Sequence, residues 1–272
     1  MAPSSIHMRD LLLVGCGKMG GAMLSGWRKA AVADRYLVVE PNTDVPRMPG
    51  VIPVADFDEL PPDVRPGVVV LAVKPQVMDS VIEPYRAFAG SSTVFLSVAA
   101  GKPVSYFHAK VGQHARVVRA MPNTPAAIGK GVTALYAGPS VTPEQRTLCT
   151  SLMRAVGSVE WLDTEDLVDV VTAVSGGGPA YVFLLIEALA AAGARAGLPA
   201  DVAMRLARGT VIGAGALADQ ARDPAATLRQ NVTSPGGTTA AALDILMSDT
   251  ALEALVGRAI VAATDRSREL AQ

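Results

Sequence analysis

A change of pattern near residue 163 constrains this chain more than any other feature. Before it, short runs rich in Val and Leu alternate with helical periodicity. Residues 11–14, 36–40, 68–73, 94–98 and 116–119 read as strands, and 18–31 and 77–88 as helices between them. Near-continuous apolar strands with helical crossovers predict a parallel sheet covered on both faces. Residues 132–136 and 159–162 add late strands. Thr142-Pro143-Glu144-Gln145 is a helix start, with a hydroxyl cap, Pro at the first position and Gln three after the cap. After Asp163 no strand pattern appears. Glu165, Asp166 and Asp169 crowd the first turns of a new helix, where the dipole favours carboxylates. Long Ala/Leu/Val segments follow at 181–196, 201–221, 239–247 and 251–270. The expectation is an α/β domain over 1–163, opened by a disordered extension at 1–8, and an all-helical domain over 164–272.

Those helices are too apolar to stand alone. Residues 181–192 are apolar nearly all round, and only 18% of the chain is charged, against roughly 25% in an average domain. A small bundle cannot bury such surface, so an intertwined dimer or larger assembly is expected. The net charge of −1 gives no electrostatic case for nucleic acid or an anionic membrane. The uncharged run 170–186 is interrupted by three glycines and a proline and stopped by Glu187. It falls short of a membrane span and reads as a buried helix. Cys16 and Cys149 have no Cys or His partner at metal spacing. They read as reduced packing residues of a cytoplasmic protein. His7, His108 and His114 belong to no constellation and read as surface or structural.

Gly15-Cys16-Gly17-Lys18-Met19-Gly20 follows a strand pattern and opens a helix pattern. That is the context in which G-x-G-x-x-G binds a dinucleotide, and it makes the first domain Rossmann-type. Gly15 permits the tight turn, Gly17 the approach of the pyrophosphate, and Gly20 the packing of helix on sheet. Glu40 ends the second strand, twenty residues after Gly20. A carboxylate there accepts from a ribose 2′-hydroxyl and favours NAD, whereas Asn42, Thr43 and Arg47 suit a 2′-phosphate. NAD and NADP both remain open at this point. Ala72-Val73-Lys74-Pro75 and Arg119-Ala120-Met121-Pro122-Asn123-Thr124-Pro125 close further strands, at the edge where open α/β sheets bind ligands. Lys74 would steady a phosphate or ribose, or is a solvated lysine before a helix-starting proline.

Asn231–Thr239 reads NVTSPGGTT, a Pro-Gly-Gly turn among hydroxyls just ahead of a helical pattern. A helix N-terminus with free N–H groups is a socket for an anion, here a small carboxylate. A cofactor and a small acidic substrate are therefore expected.

Together, GCGKMG, LAVKP, RAMPNTP, SGGGPAY and NVTSPGGTT resemble, in order, the motifs of pyrroline-5-carboxylate reductases. The middle glycine of SGGGPAY replaces the serine common in that family. The resemblance implies reduction of the C=N bond of 1-pyrroline-5-carboxylate to L-proline by NADPH, or by NADH given Glu40. It implies Thr239 as the hydroxyl that bonds the imine nitrogen, with Lys74 as a second catalytic residue. Substrate contacts are implied at Glu165, Ser234, Gly237, Thr238 and Thr239. Cofactor contacts are implied at Gly15, Gly17, Lys18, Met19, Gly20, Glu40, Asn42, Ala72, Val73, Lys74, Pro75, Ala99, Met121, Pro122 and Asn123. No metal is implied, and the partner is a second copy, as a dimer or within a decamer. A hydroxy-acid reductase of similar architecture would carry a lysine in the interdomain helix. Residues 165–187 contain none.

Overall fold

The computed structural model describes residues 7–41, 45, 47–90 and 92–270. The runs before residue 163 form one eight-stranded sheet: β1 Met8–Val14, β2 Ala33–Val39, β3 Val51–Val54, β4 Pro66–Leu71, β5 Val94–Ser97, β6 Arg116–Met121, β7 Gly131–Ala137 and β8 Gly157–Trp161. Their order is β3-β2-β1-β4-β5-β6-β7-β8, so the sheet reverses direction of growth between β1 and β4. All pairs are parallel except β6 with β7. The expected parallel sheet holds for β1 to β6, and the late strand β7, whose direction the sequence leaves open, runs antiparallel to β6. A parallel crossover needs a dozen or more residues, and only the 3₁₀ turn Thr124–Ile128 and its flanks connect β6 to β7. Strand β3 escaped the sequence because it has four residues, half exposed, with Pro53 among them.

Helices cover both faces, as the apolar strands require. On one face α1 (Lys18–Ala30) packs Met23, Leu24 and Trp27 against Leu11, Leu13 and Val70, beside Cys149 and Leu152 of a later helix. On the other, α2 (Met78–Val81), the 3₁₀ turn Glu83–Phe88 and α3 (Val104–Val111) cover Leu12, Val69 and Phe95. The single helix expected over 77–88 is split, since Pro84 cannot donate to the ladder. Helix α4 (Pro143–Arg154) begins with the predicted capping box, Thr142 and Gln145 exchanging bonds. The extension expected at 1–8 does not take in His7 and Met8. Met8 already pairs with Ala33 in the sheet, and the His7 ring bonds the Ala31 carbonyl and the Asp34 carboxylate at 3.0 and 2.7 Å. Residues 1–6 lie outside the described residues.

Among the described residues no strand follows Trp161. The chain continues as α5 (Leu167–Val171), a π-helical turn Thr172–Gly176, α6 (Gly178–Arg195), α7 (Ala200–Gln220), α8 (Ala225–Asn231), α9 (Thr238–Leu246) and α10 (Leu252–Leu270). Two compact units result: residues up to 176 with 263–270, and residues 177–262. The run 170–186 is not a buried helix within this chain. Phe183 and Leu184 are 60% and 63% exposed. The stretch Leu167–Arg195 is long and apolar enough by length and composition to cross a membrane. The second unit has too few elements to wrap its own apolar helices.

Candidate active site

The glycine loop sits where the sheet reverses direction, at the carboxyl ends of β1 and β4, which is where open α/β sheets bind ligands. Gly15 has φ +90°, and a Cβ there would lie 2.9 Å from the backbone of Ala72 and Val73. A Cβ on Gly20 would lie 2.2 Å from the Gly15 carbonyl oxygen. Both positions therefore admit only glycine. Gly17 differs: a Cβ there meets no heavy atom within 4 Å, so its surface is open. Gly17 caps α1 with no side-chain bond to the helix start. The N–H groups of Lys18 and Met19 are thus first-turn donors beside the positive end of the dipole. An open glycine, an uncapped helix start and two glycines forced by packing fit a dinucleotide pyrophosphate.

Glu40 follows β2, where its own N–H donates to the Val54 carbonyl. Its carboxylate turns back onto the loop and accepts from the Cys16 N–H at 2.8 Å. Burial, and then the Glu40 charge, push the Cys16 thiol up, leaving it a poor nucleophile. The Cys149 thiol is pushed up to about 12 by complete burial. Asn42 and Thr43 lie outside the described residues. After β4, the Ala72 N–H donates to the Val14 carbonyl, which holds the loop after β4 against the end of β1. Val73 borders Gly15. The Lys74 carbonyl accepts from the Val77 N–H in the turn through Pro75, and its side chain is exposed. Ala99 is buried after β5, its N–H donating to the Ser97 hydroxyl. Met121 ends β6 and Pro122 follows it, both buried, and Asn123 bonds by its side chain to Val132 and Ser175.

The second predicted segment opens α9. Gly236 takes φ +68°, and the Gly237 N–H closes the turn by donating to the Ser234 carbonyl at 3.0 Å. Gly237 therefore shapes the turn and caps the helix, again without a side-chain cap. The free first-turn donors are the N–H groups of Thr238 and Thr239. Ser234, Thr238 and Thr239 are all exposed, presenting three hydroxyls around one helix N-terminus.

Glu165 belongs to the first unit. One carboxylate oxygen accepts from Arg119 Nη1 at 2.9 Å and from the Val104 N–H at 2.7 Å. It caps α3 from 61 residues away, beside the positive end of that helix dipole, and neutralises a guanidinium that is 5% exposed. Arg119 was legible only as a strand residue. Its partner lies 46 residues on, and no local pattern links the two. Among the described residues no group of three or more His, Cys, Asp or Glu could hold a metal ion.

Residues 165–270 match the family model for pyrroline-5-carboxylate reductase dimerisation. The pyrroline-5-carboxylate reductase of Pseudomonas aeruginosa is 38% identical over 96% of this chain and 97% of its own length. A solved pyrroline-5-carboxylate reductase from Coxiella burnetii superposes with a TM-score of 0.90 at 34% identity, covering 99% of this chain and 100% of that one. A second, the Plasmodium falciparum pyrroline carboxylate reductase with NADP bound, gives 0.81 at 27% identity, with 98% of each chain covered. With a dinucleotide cradle in one unit, an uncapped helix start ringed by hydroxyls in the other, and relatives this similar along their whole length, the chain belongs to the pyrroline-5-carboxylate reductase family.

Proposed function

We propose that this protein reduces the C=N bond of 1-pyrroline-5-carboxylate to L-proline with NAD(P)H, the last step of proline biosynthesis. The observation that carries the reading is the start of α9. There a glycine turn leaves the Thr238 and Thr239 N–H groups uncapped beside three exposed hydroxyls, in a chain of this family. Gly15 to Gly20, the turns at 72–75 and 121–123, and Ala99 would hold the cofactor. When bound, the reduced nicotinamide supplies the hydride. A cyclic imine arrives already protonated, so the protein's task is orientation and electrostatics. The Thr238 and Thr239 N–H groups hold the substrate carboxylate with Ser234, and the Thr239 hydroxyl oxygen accepts from the protonated ring nitrogen. Lys74 steadies the cofactor's ribose or phosphate.

NADPH is the working reductant in this proposal. NADH is the alternative that Glu40 favours, since its carboxylate is a like charge to a 2′-phosphate. The dinucleotide domain spans 1–163 and the substrate and dimerisation domain 164–272. The exposed apolar faces of α6 and α7 take a second copy rather than lipid. The Gly triplet and Pro179 interrupt the run and Glu187 carries charge into it. Dimers of this kind would build a decamer, and the protein would act in the cytoplasm. The purified protein should oxidise NADPH in the presence of pyrroline-5-carboxylate, followed at the nicotinamide absorbance. No turnover with either reductant would sink the reading, and faster turnover with NADH would hand the cofactor choice to Glu40.

A further inference from the structure

Asn123 makes bonds that a ligand contact would not need. It is 8% exposed. Its Oδ1 accepts from the Val132 N–H on β7 at 2.8 Å, and its Nδ2 donates to the Ser175 carbonyl of the π-helical turn at 3.1 Å. The Ser175 carbonyl needs an outside donor for a reason written in the chain. In an α-helix it would accept from the N–H of residue 179, and residue 179 is Pro. In a π ladder it would accept from Ala180, but the Ala180 N–H donates to Gly177 at 3.0 Å. The Asn123 amide supplies the missing donor. The same turn also borders the other end of the loop, since a Cβ on Gly176 would lie 3.8 Å from Met121 Sδ. A single amide thus ties the loop after β6, the first residues of β7 and the turn Thr172–Gly176 together.

The sheet order puts β6 on the far side of the glycine loop from Glu40, which follows β2. A dinucleotide whose ribose meets Glu40 therefore extends its nicotinamide toward β4 to β6. We propose that Asn123 is a positioning residue for that nicotinamide end, its side chain locking the Met121-Pro122-Asn123 segment onto the Ser175 turn so that the segment's backbone faces the cofactor in one register. This rests on the dinucleotide reading above. Asn123 then acts through the loop and not by touching the cofactor with its amide.

In Asn123→Asp the acceptor for Val132 survives, while the donor to Ser175 is replaced by a carboxylate facing a carbonyl. Binding is read with two ligands: the reduced dinucleotide that the wild type prefers, and the matching ADP-ribose fragment, which has no nicotinamide. The fragment should bind within about twofold of wild type, the dinucleotide about tenfold more weakly, and kcat should fall by about tenfold or more, the weight of one buried bond. If both ligands and kcat stay within about twofold of wild type while only the melting temperature falls, Asn123 is merely structural and the inference is overturned. Asn123→Ala combined with Pro179→Ala gives a second test, because the new N–H at 179 can satisfy the Ser175 carbonyl without the bracket. The double variant should regain the part of the melting temperature that the Ser175 carbonyl had cost, though not the part due to the lost Val132 bond, yet keep the nicotinamide-specific loss. Recovery of both would overturn the inference. The binding split needs no turnover, so a wild type inactive on pyrroline-5-carboxylate would sink the proposed reaction and leave this result to stand or fall separately.

Discussion

Helices α1 and α9 begin in the same way. Each follows a turn with a positive-φ glycine, Gly15 at +90° and Gly236 at +68°, and each is capped by a glycine without a side-chain bond. Their surroundings differ. At the start of α1, Gly15 and Gly20 are fixed by packing: the loop after β4 approaches within 2.9 Å of a Cβ on Gly15, and the Gly15 carbonyl oxygen within 2.2 Å of one on Gly20. Around α9 a Cβ on Gly236 meets nothing within 4 Å, and Thr238 and Thr239 stand exposed. The first turn is thus a product of its own unit's core. The second is required only by local backbone geometry and by what binds to it. Sequence conservation of type would look alike at both, yet the physical reasons are separate.

Three substitutions probe that contrast. The largest effect should come from Thr239→Ala, which removes a preorganised hydroxyl and should slow turnover by about 10²-fold with stability and cofactor binding near wild type. A matching loss of melting temperature would show that the second turn is structural after all. Gly20→Ala should act the opposite way. Its Cβ meets backbone that cannot yield, so stability should drop by about 2–3 kcal/mol in denaturant unfolding and dinucleotide binding should fall with it. An unchanged unfolding midpoint would break the claim that packing dictates the first loop. The smallest effect is expected for Gly236→Ala, where only the left-handed backbone is strained, at a cost of about 1 kcal/mol. A larger loss would mean that the second turn is as tightly built as the first.

How much of this was legible depends on the distance between the residues involved. The glycine loop was legible because its signature fits within six residues between a strand and a helix, although the backbone that crowds Gly15 comes from Ala72 and Val73. The capping box at Thr142 was legible for the same reason. Strand β3 was not, because four half-exposed residues with a proline carry no periodicity. The antiparallel β7 was hidden as well, since strand direction depends on connection length and pairing, and the apolar pattern is the same either way. The side-chain links were out of reach altogether. Glu165 with Arg119, and Asn123 with Ser175, join residues 46 and 52 apart. Family likeness points to Glu165 as a substrate contact, and its cap on α3 and its pairing with the buried Arg119 are additional bonds that no local pattern signals.

The amino-acid sequence by itself determined the elements apart from β3 and the break in the helix after β4, the two-part organisation, the glycine loop that can take a pyrophosphate and the hydroxyl-rich turn ahead of α9. Each of these follows from residue types at short spacing, where backbone freedom, hydrogen-bond capacity and apolar periodicity act locally. Only the tertiary structure decided which polar groups already have partners. It showed that Gly237 closes its turn, that Glu40 bonds the Cys16 N–H, that Glu165 neutralises Arg119, and that Asn123 answers a carbonyl which Pro179 leaves without a donor. A buried polar group is satisfied by whatever the fold brings within about 3 Å, and that neighbour is set by chain topology.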